Sequence, residues 1–499
     1  MDTSKPQPIP KQNIQQTEAH PDSSLKAAAR SGRLILATQV LRLVVRVGGT
    51  VTLARLVGPT DYGIFGMAAT VHGLVYVFQD FGLATVTVRK PHLTEGDRNA
   101  LFWMNLALGA ALALAVAASG FAVAAFFHEP ALRLLLAFMG TTFLINGLHT
   151  QLRAQLAREH RFGELNRVEI YAFTVSAAAA ILVAWLRGGA WALATMMVVA
   201  EAAIAVGVWR AQKWRPGGWP SEFNARSLLG FGASLSINDG LRYVSRNTDL
   251  FLVGRWLGAG PLGIYGRAAQ FASLPVVYVA DPLANLAIST LRHLAPSPAD
   301  ARAFWRRIVN GLAWITMPVA AVFACLPGEL IGLLLGARWT PGAPVLRGLS
   351  PGLALLPLQM ACGWMFLAAG TSRRLLAASG LNAGLVVAAC LSLRNTGIGG
   401  IALGVGLATA AGALFGVAFI RPADPATPGD ALSALARPLA SAAALAVALV
   451  AALHLCGAAG AVQRLSSGVA VCVAWAGVLW IAWPRVRTEW SEHFFLRRQ

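Results

Sequence analysis

Charge is scarce in this chain, and negative charge scarcer still. Charged residues fill 13% of 499 positions, with 22 Asp and Glu against 41 Lys and Arg; a soluble globular domain carries about 25%. Only five of the cations are lysines, and no Gly-Lys pair occurs, which excludes a nucleotide phosphate-binding loop. The five cysteines (Cys325, Cys362, Cys390, Cys456, Cys472) stand singly in or beside apolar segments. Without C-x-x-C or metal-ligand spacing they read as small core residues. The nine histidines are scattered; among them His72, His128, His149, His160 and His293 show no zinc spacing and read as residues at span boundaries. No metal site and no cofactor is expected. The connections between apolar runs are too short to hold a catalytic domain, so the chain is not expected to be an enzyme.

What is abundant is apolar surface, at 56% of residues. Continuous apolar runs follow one another, each long enough to cross a hydrocarbon layer about 30 Å thick. Continuity rather than period-two alternation excludes a transmembrane β-barrel. The expected fold is an all-α polytopic membrane protein of 14 spans. These include 30–56, 61–88, 228–256 and 261–289, while Glu329–Leu335 is too short to cross and is expected as a surface turn of helix. With the N-terminus placed in the cytoplasm, 28 of the 41 cations fall on the inner side and 9 on the outer, which agrees with the positive-inside rule. The net charge of +19 is thus largely topological and needs no nucleic acid.

The chain also repeats itself. RLVGPTDYGIFG, from Arg55 to Gly66, returns as RWLGAGPLGIYG, from Arg255 to Gly266, and residues 41–70 match 241–270 at 11 of 30 positions without a gap. Chance gives about two. Six spans separate the copies, so both enter from the same side, as in two-lobed transporters related by an axis along the membrane normal. The expected organisation is a disordered cytoplasmic tail (1–25), a first six-span lobe (26–211), a cytoplasmic linker (212–227), a second six-span lobe (228–420), two further spans (421–484) and a basic cytoplasmic tail (485–499). Gly58 and Gly63 are expected to bracket a tight turn that lets the chain reverse.

Ionisable residues inside the spans carry the functional reading. Arg42 and Arg46 share one helical face, and so do Asp239, Arg242, Arg246 and Asp249. A charge at membrane depth costs about 3 kcal/mol and normally faces a protein interior or a watery cavity. A two-fold axis between spans 1 and 7 would turn four guanidinium groups toward one central cavity, suited to phosphate or carboxylate. The competing reading has Arg242 and Arg246 pair with Asp239 and Asp249 to staple helices, and Arg42 snorkel to an interface. Asp80 and Asp281 are further buried acids that could couple to a proton or sodium ion or neutralise an arginine. Asp61 stands at the outer rim where the second copy has Pro261, and is a candidate gate contact.

ARLVGPTDYGIFGMAATVHGLVYVFQDFGLATVTVRK (Ala54–Lys90), ALFWMNLALG (Ala100–Gly109), RYVSRNTDLFLVGRWLGAGPLGIYGRAAQ (Arg242–Gln270) and GARWTPGAPVLRGL (Gly336–Leu349) together resemble the WzxC-type polysaccharide flippases of the multidrug/oligosaccharidyl-lipid/polysaccharide exporter superfamily. The resemblance covers about residues 25–420. It implies two six-helix lobes plus two helices, a cavity lined by spans 1, 2, 7 and 8, and transport of an undecaprenyl-diphosphate-linked oligosaccharide across the bacterial inner membrane for exopolysaccharide, capsule or O-antigen synthesis. Arg42, Arg46, Arg242 and Arg246 are the positions that fit the cationic cavity of related flippases. Both termini would be cytoplasmic. Membrane lipid, a polysaccharide polymerase and the glycosyltransferases of the same pathway are the implied partners. The alternatives are a multidrug exporter of the same superfamily and a membrane glycosyltransferase or polymerase.

Overall fold

The computed structural model describes residues 48–49, 51–79, 82–90, 93–219, 240, 243–244, 246–275, 281–422, 424–456 and 461–482. The chain divides into two units, 1–50 and 51–499. Of the first, only the helical Gly48 and Gly49 are described. Everything below concerns the second.

After a helical segment at 51–56, fifteen helices follow. They are α1 (Pro59–Tyr76), α2 (Leu83–Arg89), α3 (Glu95–Phe127), α4 (Leu132–Arg158), α5 (Phe162–Trp185) and α6 (Ala190–Ala211), then, after a helical stretch at 246–257, α7 (Ala259–Pro275), α8 (Asp281–His293), α9 (Pro298–Cys325), α10 (Pro327–Leu335), α11 (Ala343–Ala368), α12 (Ser372–Ser392), α13 (Gly397–Ala418), α14 (Pro428–Cys456) and α15 (Ala461–Ala482). A 3-10 turn, Ala337–Gly342, joins α10 to α11.

The helices start where the chain supplies acceptors or a fixed φ. Thr94 and Asp97 form a capping box at α3. Proline opens α1, α9 and α10, where its missing N–H is no loss. Nine helices among the described residues are long and apolar enough to span. Fourteen spans are expected; of the five not among these nine, α15 (Ala461–Ala482) is helical over 22 residues, and the other four have named causes. Predicted span 1 and the start of span 7 lie largely outside the described residues. Predicted span 2, 61–88, is not continuous: α1 ends in a turn at 77–79, and Gly82, at φ 73°, starts α2 in the left-handed region that glycine enters without penalty. Predicted span 8 is described as α7 and α8 on either side of 276–280. The short α10, with Ile331 and Leu335 buried and Leu333 exposed, is the surface helix the sequence leads one to expect.

The repeat is visible in the packing. In the first half α3 lies along α4, α4 against α6, α5 against α6, and α2 against α4. In the second half α9 lies along α11, α11 against α13, α12 against α13, and α8 against α11. Each pair in one list is the other's counterpart. The two terminal helices are less of an appendix than the sequence implies. Helix α14 runs along α9, and Ala431, Ala434, Leu435 and Ala442 join the same apolar core as Trp305, Met317 and Phe366. The buried Asp430 ties its first turn to α9, accepting from Thr427 N at 2.8 Å and from Arg302 Nε at 2.7 Å.

Candidate functional site

The two copies of the repeated hairpin meet each other. Helix α1 packs on α7, and the contact is reciprocal. A methyl group on Gly63 would overlap the Ala259 carbonyl, and one on Gly263 would overlap the Pro59 carbonyl. At the offset of 200, Gly63 matches Gly263 and Pro59 matches Ala259. This is the pattern of an isologous two-fold contact, i on j and j on i. Gly63 is therefore not part of a reversing turn as the sequence reading expects. It sits one turn inside α1 because only bare backbone admits the other helix.

A cluster without two-fold symmetry locks this seam. The Arg267 Nη2 of α7 donates to the Tyr62 hydroxyl of α1 at 2.5 Å, and its guanidinium lies 4.3 Å from the centre of the Tyr62 ring. Trp339 stands edge-on to Tyr62 with ring centres 5.1 Å apart, and its Nε1 donates to the Ala54 carbonyl at 2.8 Å. Arg267 is 9% exposed, Tyr62 8% and Trp339 1%. A guanidinium so dehydrated is retained only with partners, and here a hydroxyl, a π-face and the Gln270 side chain supply them. Three of the stretches that carry the family resemblance thus converge on one point: Tyr62 from the first, Arg267 from the third, Trp339 from the fourth. From sequence, Arg267 has no role beyond its place among the nine outward cations. The overlooked signal is the break in the repeat, since the matched position holds Met67.

The predicted site residues fall unevenly. Arg42, Arg46, Arg242, Asp80 and Asp239 lie outside the described residues. Asp281 opens α8, with its side chain outside them. Arg246 is exposed on the 246–257 helix. Asp249 accepts from the Tyr265 hydroxyl at 2.7 Å, and Tyr265 is fully buried. Among the described residues Asp249 has no ion-pair partner. Asp61 accepts from Ala190 N at 3.3 Å. It serves as an acceptor at the start of α6, a helix whose own N-cap, Gly189, has no side chain to offer. With Arg187 and Trp191 it lines a small cavity of about 170 Å³.

Inside the first half, α4 carries a buried polar face that the sequence reading missed. The Thr142 hydroxyl donates to the Met139 carbonyl at 2.6 Å and so accepts from His72 Nε2 at 2.7 Å. His149 Nε2 donates to Glu201 Oε2 of α6 at 3.0 Å, and its Nδ1 is buried with no hydrogen-bond partner. Gln151 accepts from Thr87 of α2 at 2.8 Å. His72 and His149 are 3% and 1% exposed, so they are interior groups and not boundary residues. The available signal was the spacing Thr142, Asn146, His149 on one helical face. Among the described residues no three His, Cys, Asp or Glu side chains gather to hold a metal.

Comparison with known proteins fits this geometry. A model of the family described as polysaccharide biosynthesis protein matches residues 52–344. The teichuronic acid biosynthesis protein TuaB of Bacillus subtilis (strain 168) is 22% identical over 273 residues, 54% of this chain and 56% of that protein. The lipopolysaccharide biosynthesis protein WzxC of Escherichia coli (strain K12) is 21% identical over 297 residues, 59% of this chain and 60% of that protein. The chain thus spans somewhat over half the length of these relatives. Among solved structures, the lipid II flippase MurJ in an inward closed conformation superposes with a TM-score of 0.68, at 12% identity, over 90% of this chain and 98% of MurJ. At that identity the likeness is one of fold.

Proposed function

Because the chain belongs to the polysaccharide biosynthesis protein family, we propose that it is a flippase that moves undecaprenyl-diphosphate-linked oligosaccharide units from the inner to the outer leaflet of the bacterial cytoplasmic membrane. The observation that carries this reading is the seam: two copies of one hairpin meeting through bare backbone at Gly63 and Gly263, crossed by one Arg267–Tyr62 lock. Two matched halves hinged on a narrow contact are what alternating access requires. With both termini cytoplasmic, the seam lies at the outer end and the described conformation is closed to the outside.

The polar headgroup cannot cross hydrocarbon unaided. In this reading Arg42, Arg46, Arg242 and Arg246 receive the diphosphate in the central cavity while the polyprenyl chain stays in lipid. Release needs a second input, for which a proton or sodium ion acting at Asp80, Asp239, Asp249 or Asp281 is the proposal. Asp61 acts indirectly, by fixing α6 beside the seam. Polymerase and glycosyltransferases of the same pathway would deliver and take up the substrate. Multidrug export is disfavoured, because its usual substrates are cations and the ionisable groups of spans 1 and 7 are led by arginine.

Complementation of a strain deleted for this gene tests the proposal. The deletion strain should accumulate lipid-linked repeat units and lose surface polysaccharide. Arg246→Ala should reduce export at least tenfold while the protein still inserts. Full export by the variant with alanine at positions 42, 46, 242 and 246 would remove the cationic cavity from the mechanism.

A further inference from the structure

The likeness of the two halves extends beyond residues 41–70 and 241–270. Helices α5 and α6 are joined by LRGG (Leu186–Gly189), and their counterparts α12 and α13 by LRNT (Leu393–Thr396). In both connections the leucine is the C-cap of the first helix and an arginine follows it. In each half that arginine lines a cavity together with a tryptophan. Arg187 and Trp191 share the cavity of about 170 Å³ that Asp61 also lines. Arg394 shares one of about 500 Å³ with Trp256 and Asn395. The two cavities flank the seam, for Asp61 stands two residues before Gly63 and Trp256 three before Ala259.

The polar groups around these spaces are uncommitted. Arg187, Arg394 and Asn395 are exposed, and among the described residues their side chains have no hydrogen bond and no ion pair. The indole N–H groups of Trp191 and Trp256 have no partner there either. Asp61 gives Oδ1 to Ala190 N and keeps Oδ2 to accept a second bond. Asp61 and Arg187 line one small space and still do not pair with each other. Ile64 and Leu135 supply an apolar wall beside them.

A guest for such a space needs an apolar face and a polar edge that both donates and accepts. A phosphate would meet the Asp61 carboxylate, and a purely apolar molecule would strip water from two charges without replacing its hydrogen bonds. A sugar ring meets each demand. Its C–H face fits the negative face of an indole, a guanidinium fork spans adjacent hydroxyls, and a carboxylate or amide oxygen accepts from a hydroxyl. At about 30 Å³ per water, the smaller cavity holds five or six waters, the room one ring would take. The second cavity repeats the set with Asn395 as the acceptor.

We propose that these two cavities bind pyranose rings, each laid against a tryptophan and held at its hydroxyls by the arginine of the matched connection. That the rings belong to the exported glycan, met beside the seam as the headgroup leaves, rests on the flippase reading. The affinity for sugar does not.

The test uses the full chain in nanodiscs with the methyl β-glycosides of glucose, galactose, mannose and N-acetylglucosamine, read by saturation-transfer NMR. Cyclohexanol, a ring without the hydroxyl edge, is the control. At least one glycoside should bind at about 1–10 mM, and cyclohexanol at least fivefold more weakly. Arg187→Ala with Arg394→Ala should weaken glycoside binding at least fivefold. Trp191→Phe with Trp256→Phe should keep most of it, and leucine at both positions should lose it. If the double leucine variant does not fold, the arginine variant decides, since both arginines are exposed and without partners. Failure of every glycoside to bind, equal binding of cyclohexanol, or unchanged binding by the double arginine variant would each overturn the proposal. Free glycosides bind without being transported, so such a failure leaves the flippase reading, which is tested by export, in place.

Discussion

Arg267 is the residue whose chemistry and position disagree most on first inspection. It is a fixed positive charge at 9% exposure, at a position where the first copy of the repeat has methionine. Its retention is explained by Tyr62, which offers both a hydroxyl and a ring face. Two substitutions separate these contributions. Tyr62→Phe keeps the ring and removes one hydrogen bond to a charge, for an expected loss of about 1.5–3 kcal/mol. Arg267→Met, which makes the two halves match at this position, removes the charge but strands the Tyr62 hydroxyl and the Gln270 carbonyl, two neutral groups, so it should cost about as much as Tyr62→Phe. Melting temperatures in detergent give the order. A markedly lower value for Arg267→Met than for Tyr62→Phe would show that the cation–π contact dominates the lock.

At the scale of elements, α4 is the organising helix of the first half, and its polar face is an interior one. The His149–Glu201 bond joins it to α6, while His72–Thr142 joins it to α1. Removing one partner leaves the hydrogen-bonding group of the other unsatisfied, so His149→Gln and Glu201→Gln should each destabilise by about 1–3 kcal/mol, and the double variant by less than their sum. Additive losses in thermal unfolding would mean that the two side chains do not interact. Much at this scale was legible beforehand. Apolar runs at 98–126, 130–156, 163–186, 189–211, 301–325, 343–368, 373–393, 397–420 and 433–456 placed α3 to α6, α9 and α11 to α14 within about five residues, because membrane thickness dictates their length. The break between α1 and α2 was hidden, because the residues around Gly82 are apolar enough to continue a span and hydropathy does not register a positive φ. The burial of His72 and His149 was hidden too: hydropathy ranks a histidine by its own polarity and ignores the Thr142 or Glu201 that a neighbouring helix brings to it.

For the molecule as a whole, the prediction concerns motion across the seam. A Cβ on residue 260 would stand 3.6 Å from Thr60 Oγ1, within reach of a disulfide. In a background lacking the five native cysteines, the Thr60→Cys, Gly260→Cys pair should cross-link under oxidation, halt export, and recover on reduction. Cross-linked protein that exports normally would mean that the seam does not open. The sequence repeat announced that there are two halves, yet it left open which surfaces join them. That depends on which face of α1 is stripped to backbone, and Gly63 read alone looks like any turn glycine.

The reciprocity at Gly63 and Gly263 also says something about descent. Surfaces that fit each other in this exchanged manner are those of a self-associating pair, so a chain holding one copy of the repeat would have met a second copy of itself through the same backbone contact. Joining two such copies in one chain would make the partner permanent and free each half to change alone. Arg267 is one place where the halves are not interchangeable: its guanidinium needs Tyr62 of the other half, and the matched positions hold Met67 and Leu262.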